Sequence, residues 1–165
     1  MNTTATRSDL LVKMSLMAWD MQNNYLDKLI SSLTDEQLAK EIAPGRNTGV
    51  YLLGHLIAVS DGLLTLLGFG DRLFPEMEEV FLKNPDKSGL SFPPTAELKQ
   101  RLNTVNAKLN SHIQSTDVDG WLSRHMSVSP EDFVKEPHRN KLNVLINRTG
   151  HMANHIGQMN LLKGA

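Results

Sequence analysis

The chain has 165 residues, enough for one domain with a sizeable core and too few for two comfortable ones. Its 17 basic and 18 acidic residues leave a net charge of −1 with no Lys/Arg cluster, so neither nucleic acid nor an anionic membrane surface is expected as a partner. Cysteine is absent, which removes disulfides, thiolate ligands and a cysteine nucleophile together and suits a reducing compartment.

The opening stretch, 1–9, is polar and lacks the apolar core of a signal peptide. No apolar run is expected to reach the roughly 20 residues of a membrane span. These features predict a cytoplasmic chain with one domain over 1–165.

Apolar residues recur at three- and four-residue intervals and β-branched alternation is missing, so the expected fold class is all-α with four long helices. The first spans 8–31, with Ser8 as N-cap and Leu10, Met14, Met17, Met21 and Tyr25 as its buried stripe. Thr34-Asp35-Glu36-Gln37 has the capping-box pattern of a short helical turn. Ala43-Pro44-Gly45 then breaks the chain.

The second long helix opens at Asn47 or Thr48 and runs to about Leu67. Leu52, His55, Val59 and Leu66 share one face, flanked by Leu56 and Leu63, and Gly68-Phe69-Gly70 stops the helix. Residues 68–94 hold four prolines and three glycines and form a long crossover, with one helical turn at 76–81. A connection of this length lets the next helix run parallel to the second. Thr95 caps that third helix, which extends to Thr116 with Leu98, Leu102, Val105, Leu109 and Ile113 inward.

A second loose segment, 117–139, contains Trp121 and a short-helix start at Pro130-Glu131-Asp132. The fourth helix covers 140–162. Its apolar arc, through Leu142, Leu145, Met152, Ile156 and Met159 and extended by Val144 and Leu162, is wide enough to be buried on more than one side. This width suggests a dimer interface, unless the crossover covers the same surface.

Three of the six histidines carry the chemistry. His151 and His155, spaced i, i+4, lie on one helix face about one turn apart. His55 lies about 7 residues, roughly 10 Å, after the start of its helix, and His155 about as far before the end of the fourth. If those helices are antiparallel with level ends, all three rings fall at neighbouring heights. A divalent metal needs several neutral imidazoles within about 2 Å of one point, and this spacing permits such a site. The alternative is three core histidines, each satisfied locally. His112 lies about 17 residues into its helix, roughly 15 Å from the level of His55, and is read as structural. His125 and His138 fall in irregular chain at the surface, where loops can still reach a cleft. A metal-ligating imidazole also donates its second N–H to a partner. Asn47, Asn154, Gln158 and Asp61 are open candidates; Gln158 is read as a helix-end or dimer contact, and Gly157 as a site of close helix packing.

Tyr51-Leu52-Leu53-Gly54-His55-Leu56 and Gly150-His151-Met152-Ala153-Asn154-His155-Ile156-Gly157-Gln158 together resemble the DinB-like superfamily, and the likeness runs along nearly the whole chain. The resemblance implies a four-helix bundle with up-down-down-up topology, often a homodimer. It implies a divalent metal, zinc or nickel, held by side chains matching His55, His151 and His155. Relatives include thiol S-transferases that use bacillithiol, mycothiol-dependent isomerases and metal hydrolases. Many relatives carry Glu or a further His beside the helix-four pair, where this chain has Met152, Ala153 and Asn154, so the likeness brings no general base.

Three histidine ligands leave a coordination position open, the pattern of a catalytic metal site. Water there becomes acidic and a thiol ionises more readily still. The expected function is a metal-dependent hydrolase, or an S-transferase with a low-molecular-weight thiol cosubstrate, acting on a small molecule. The rivals are a non-catalytic metal-binding stress protein and a helical interaction module.

Overall fold

The structure is a computed structural model describing residues 5–164; positions 1–4 of the polar opening, and 165, lie outside the described residues. Four long helices dominate: α1 (Arg7–Ser32), α3 (Gly49–Leu66), α4 (Thr95–Ser115) and α7 (Lys141–Met159). Short helices α2 (Asp35–Leu38), α5 (Val118–Leu122) and α6 (Pro130–Lys135) lie between them. A π-helical turn spans Glu79–Lys83, and a 3-10 turn follows α7 at Asn160–Gly164. Isolated bridges pair Glu41 with Thr48 and Arg124 with Asn140, and no strand forms among the described residues.

The helix starts follow capping chemistry, with two corrections. The cap of α1 is Thr6 rather than Ser8: the Thr6 hydroxyl accepts from the Asp9 N–H while the Asp9 carboxylate accepts from the Thr6 N–H. Helix α4 starts at Thr95 with Pro94 at the cap position and no side-chain cap. Elsewhere Thr48, Ser129 and Asn140 each accept from the N–H three residues on, and Thr34 and Gln37 form the expected reciprocal box. The helical turn expected in the crossover at 76–81 is present over 77–83, where residues 77–78 lead into the π-turn around the fully buried Phe81.

The largest correction concerns α1. Its expected stripe is outside: Leu10, Met14, Met17, Met21 and Tyr25 are all exposed, Met14 by 67%. The buried face carries Val12, Trp19, Asn23, Leu26 and Ile30 and packs on α7 and α5. The arc of α7, in contrast, is consumed within the chain. Leu142, Leu145, Met152, Ile156, Met159 and Leu162 are buried, so its width needs no second molecule to explain it. The five apolar residues assigned inward on α4 are all buried, as is Trp121.

Helix α3 is long and apolar enough, by length and composition, to cross a membrane, contrary to the expectation that no segment is. Its window is 67% buried inside the protein, the position of a core helix. α3 packs on α4, α7 and the crossover. The crossover is tied to it at both ends. The carboxylate of buried Asp61 accepts from the Leu73 and Phe74 N–H groups at 2.7 and 3.0 Å, and the Tyr51 hydroxyl donates to the Asn84 carbonyl at 2.7 Å. Asp61 is therefore a loop clamp, away from the imidazoles. The second loop is drawn to α3 where the Met126 N–H donates to the Leu66 carbonyl at 2.9 Å.

Candidate metal centre

α3 supplies His55 and α7 supplies His151 and His155, and the fold brings all three together. Nε2 of His151 lies 3.2 Å from Nε2 of His55 and 3.1 Å from Nε2 of His155. All three ligand atoms lie within 4.8 Å of one another, so the group could hold a metal ion. Ligand nitrogens about 2.05 Å from a tetrahedral zinc would be about 3.3 Å apart, close to these separations.

Hydrogen bonding fixes which nitrogens face the centre. His55 Nδ1 lies 2.9 Å from the Phe81 carbonyl oxygen, which only accepts, so Nδ1 carries the proton and neutral Nε2 presents a lone pair. His155 Nδ1 donates to Gln158 Oε1 at 2.8 Å, with the same consequence. His151 Nε2 could donate one proton, to one neighbour only, and its buried Nδ1 has no partner among the described residues. The cluster therefore holds more lone pairs than protons. A cation at the centre resolves that mismatch; three locally satisfied core histidines do not fit it.

Electrostatics disfavours protonation of two of the clustered rings, His151 and His55. Burial, then the charges of His155, His55 and Arg148, push His151 down to about 4 from an ordinary 6.5. His55 is also lowered, chiefly by burial, against the opposing Phe81 carbonyl. Neutral imidazole is the form a metal takes.

The supporting residues were only partly legible. Gln158, expected as a helix-end or dimer contact, lies in the last turn of α7 and is the hydrogen-bond partner of His155. Its i+3 spacing from His155 is the signal that could have selected it over Asn47 and Asn154, both exposed. Phe81 left no such signal, because a backbone carbonyl has no sequence signature. Gly54 did, unread: a Cβ there would sit inside the Phe81 ring, so the glycine lets that ring close on α3 and bring its carbonyl to His55. Gly157 is exposed with nothing within 4 Å of a built Cβ, so the close packing expected of it does not occur within the chain.

The other histidines lie outside the cluster. His112 stacks on Phe69 with ring centroids 5.0 Å apart, a structural role as expected. His138 is exposed, and half-buried His125 accepts from the Ser127 N–H.

The centre opens into a cleft of about 600 Å³ lined by His55 and His151, apolar residues of α3, Leu82 of the crossover, Met126 and Ser127 of the second loop, and two arginines, Arg72 and Arg148. No Asp or Glu lines it. A concave, mostly apolar space with a few convergent polar groups is the usual form of a small-molecule site.

Comparison with curated proteins finds no match. Among solved structures, the crystal structure of a conserved protein from Enterococcus faecalis superposes with a TM-score of 0.59 at 15% identity, covering 98% of this chain and 100% of that one. At that identity the likeness concerns the fold. The sequence model of the DinB superfamily matches residues 18–159, a span that includes all three clustered histidines. The chain belongs to the DinB superfamily.

Proposed function

We propose that His55, His151 and His155 hold a divalent metal, zinc or nickel, and that the protein is a metal-dependent enzyme acting on a small molecule, as a hydrolase or a thiol S-transferase. The observation that carries this reading is the convergence of three Nε2 lone pairs at one end of an open cleft. When bound, such an ion supplies the Lewis acidity that ionises water or a thiol at its free position. The chain's own residues do the rest. The Phe81 carbonyl and the Gln158 amide oxygen fix two rings by their Nδ1–H groups, and the apolar wall of α3 excludes water from the bound molecule. Any thiol must be a cosubstrate, because the chain has no cysteine.

The second reading, a non-catalytic metal-binding stress protein, is favoured by the absence of Asp and Glu from the cleft lining, which leaves no carboxylate to act as general base. Elemental analysis of protein purified without an affinity tag is expected to give near-stoichiometric metal. His151→Ala and His155→Ala should abolish it while keeping the helical circular dichroism; retained metal overturns the ligand set. Ester, amide and thiol-plus-electrophile substrates, assayed with and without chelator, separate the two readings. Chelator-sensitive turnover supports the enzyme, and its absence in every class supports the stress protein.

Three coarser features belong to the same reading. The four long helices run up-down-down-up as one domain, supported by the packing of α1 on α7 and of α3 on both α4 and α7. The location is cytoplasmic, in keeping with the lack of cysteine. The protein is a homodimer, with the α1 stripe as its self-complementary face. Leu10, Met14, Met17, Met21 and Tyr25 lie along one side of α1 over about 22 Å and are exposed. The same helix face on two copies can meet across a two-fold axis. Sedimentation of Met17→Glu, which puts a charge mid-stripe, is expected to give monomer where the parent gives dimer; a monomeric parent ends this part of the reading.

A further inference from the structure

We propose that Arg148 is an anion-recognition group and that the molecule taken up by the cleft carries an oxyanion, a carboxylate or phosphate, beside its reacting group. The inference deepens the proposed function and rests on the same cleft.

The two arginines of the cleft differ in one respect. Arg72 is neutralised by an ion pair with Glu78. The Arg148 side chain has neither an ion pair nor a hydrogen bond with any described residue, although it is half-buried in the cleft wall. A guanidinium presents five donors and stays charged, so one held at a cleft with no partner is built for a ligand that brings acceptors.

Placement relates that ligand to the metal centre. Arg148 lies three residues before His151 on α7, so the two side chains leave the same helix face one turn apart. Arg148, His55 and His151 line the same cleft. Three neutral imidazoles do not offset the charge of a bound dication, and no carboxylate of the cleft offsets Arg148. The field inside the cleft therefore selects a negative group. A molecule that satisfies Arg148 with one end and reaches the histidines with the other spans about one helical turn, roughly 5 Å, between its anionic and reacting groups.

The test uses three small thiols: 3-mercaptopropionate, 2-mercaptoethylphosphonate and the uncharged 3-mercaptopropionamide. Each is titrated into cobalt-loaded protein, read by the thiolate-to-cobalt absorption, and into chelator-stripped protein, read by the side-chain N–H resonances of arginine. In the parent protein the charged probes should bind at least tenfold tighter than the amide. Arg148→Gln should remove that preference in both forms and leave the amide unchanged, while Arg148→Lys should keep part of it. The ratio between carboxylate and phosphonate tells which oxyanion the cleft prefers. A preference that survives Arg148→Gln, or no preference in the parent, overturns the proposal. If cobalt fails to load, the metal reading falls, and the stripped protein still decides the role of Arg148.

Discussion

Helices α3 and α7 deliver their imidazoles to the same point by opposite means. α3 is wrapped by α4, α7 and the crossover, and its single histidine is held by a carbonyl 26 residues away in the chain. α7 carries two histidines; one is held by a glutamine three residues along the same helix, and the other has no Nδ1 partner among the described residues. Support for His55 is therefore tertiary and depends on the crossover closing, whereas support for His155 is local and comes with the helix.

The difference predicts unequal sensitivity to remote change. Gly54→Ala should have the largest effect, because the new methyl meets the ring of the fully buried Phe81 and one of them must move. Overpacking of this kind costs about 1–3 kcal/mol. It should also shift the carbonyl away from His55 and weaken metal binding, although no ligand is altered. Thermal unfolding of stripped protein and zinc titration against a competing chelator measure the two effects separately. Unchanged affinity with lost stability would mean that His55 does not need its carbonyl.

Gln158→Met should leave stability nearly unchanged and act on the metal alone. The amide is half-buried and its only hydrogen bond among the described residues is the one from His155, so removing it frees one ring. Loss of such a supporting bond typically costs 10–100-fold in metal affinity. Equal losses for Gln158→Met and Gln158→Glu would mean that the oxygen is not the relevant atom, because a carboxylate still accepts.

The same contrast governs what could be read from the residues. Much that is local was legible, the i, i+4 pair, the capping box at Thr34, the inward face of α4 and the glycine stop after α3, although the caps of α1 and α4 and the i+3 partner of His155 were not. The facing of α1 was not. Its two sides are both apolar at heptad-like spacing, Val12-Trp19-Asn23-Leu26-Ile30 against Leu10-Met14-Met17-Met21-Tyr25. The second set is the more continuous, and the first contains an asparagine whose Nδ2 donates to the Trp19 carbonyl of its own helix while its buried Oδ1 has no partner among the described residues. Periodicity says that a helix has an apolar face, but with two such faces only the packing partner decides which goes in. Arg148 escaped for a related reason. An arginine at i−3 from a histidine looks like any solvated residue until the cleft beside it is known to hold no acid.

Gly157→Ala gives the smallest effect and the sharpest contrast with Gly54. Both are helical glycines beside a clustered histidine or its partner, yet a methyl at Gly157 meets nothing within 4 Å. Replacing glycine by alanine inside a helix removes backbone freedom from the unfolded chain and stabilises by up to about 1 kcal/mol. The isolated chain should therefore gain that much in denaturant midpoint without loss of metal affinity. A destabilised variant would show that another molecule packs against this glycine, and would move the proposed dimer face from the methionine stripe of α1 to the exposed side of α7.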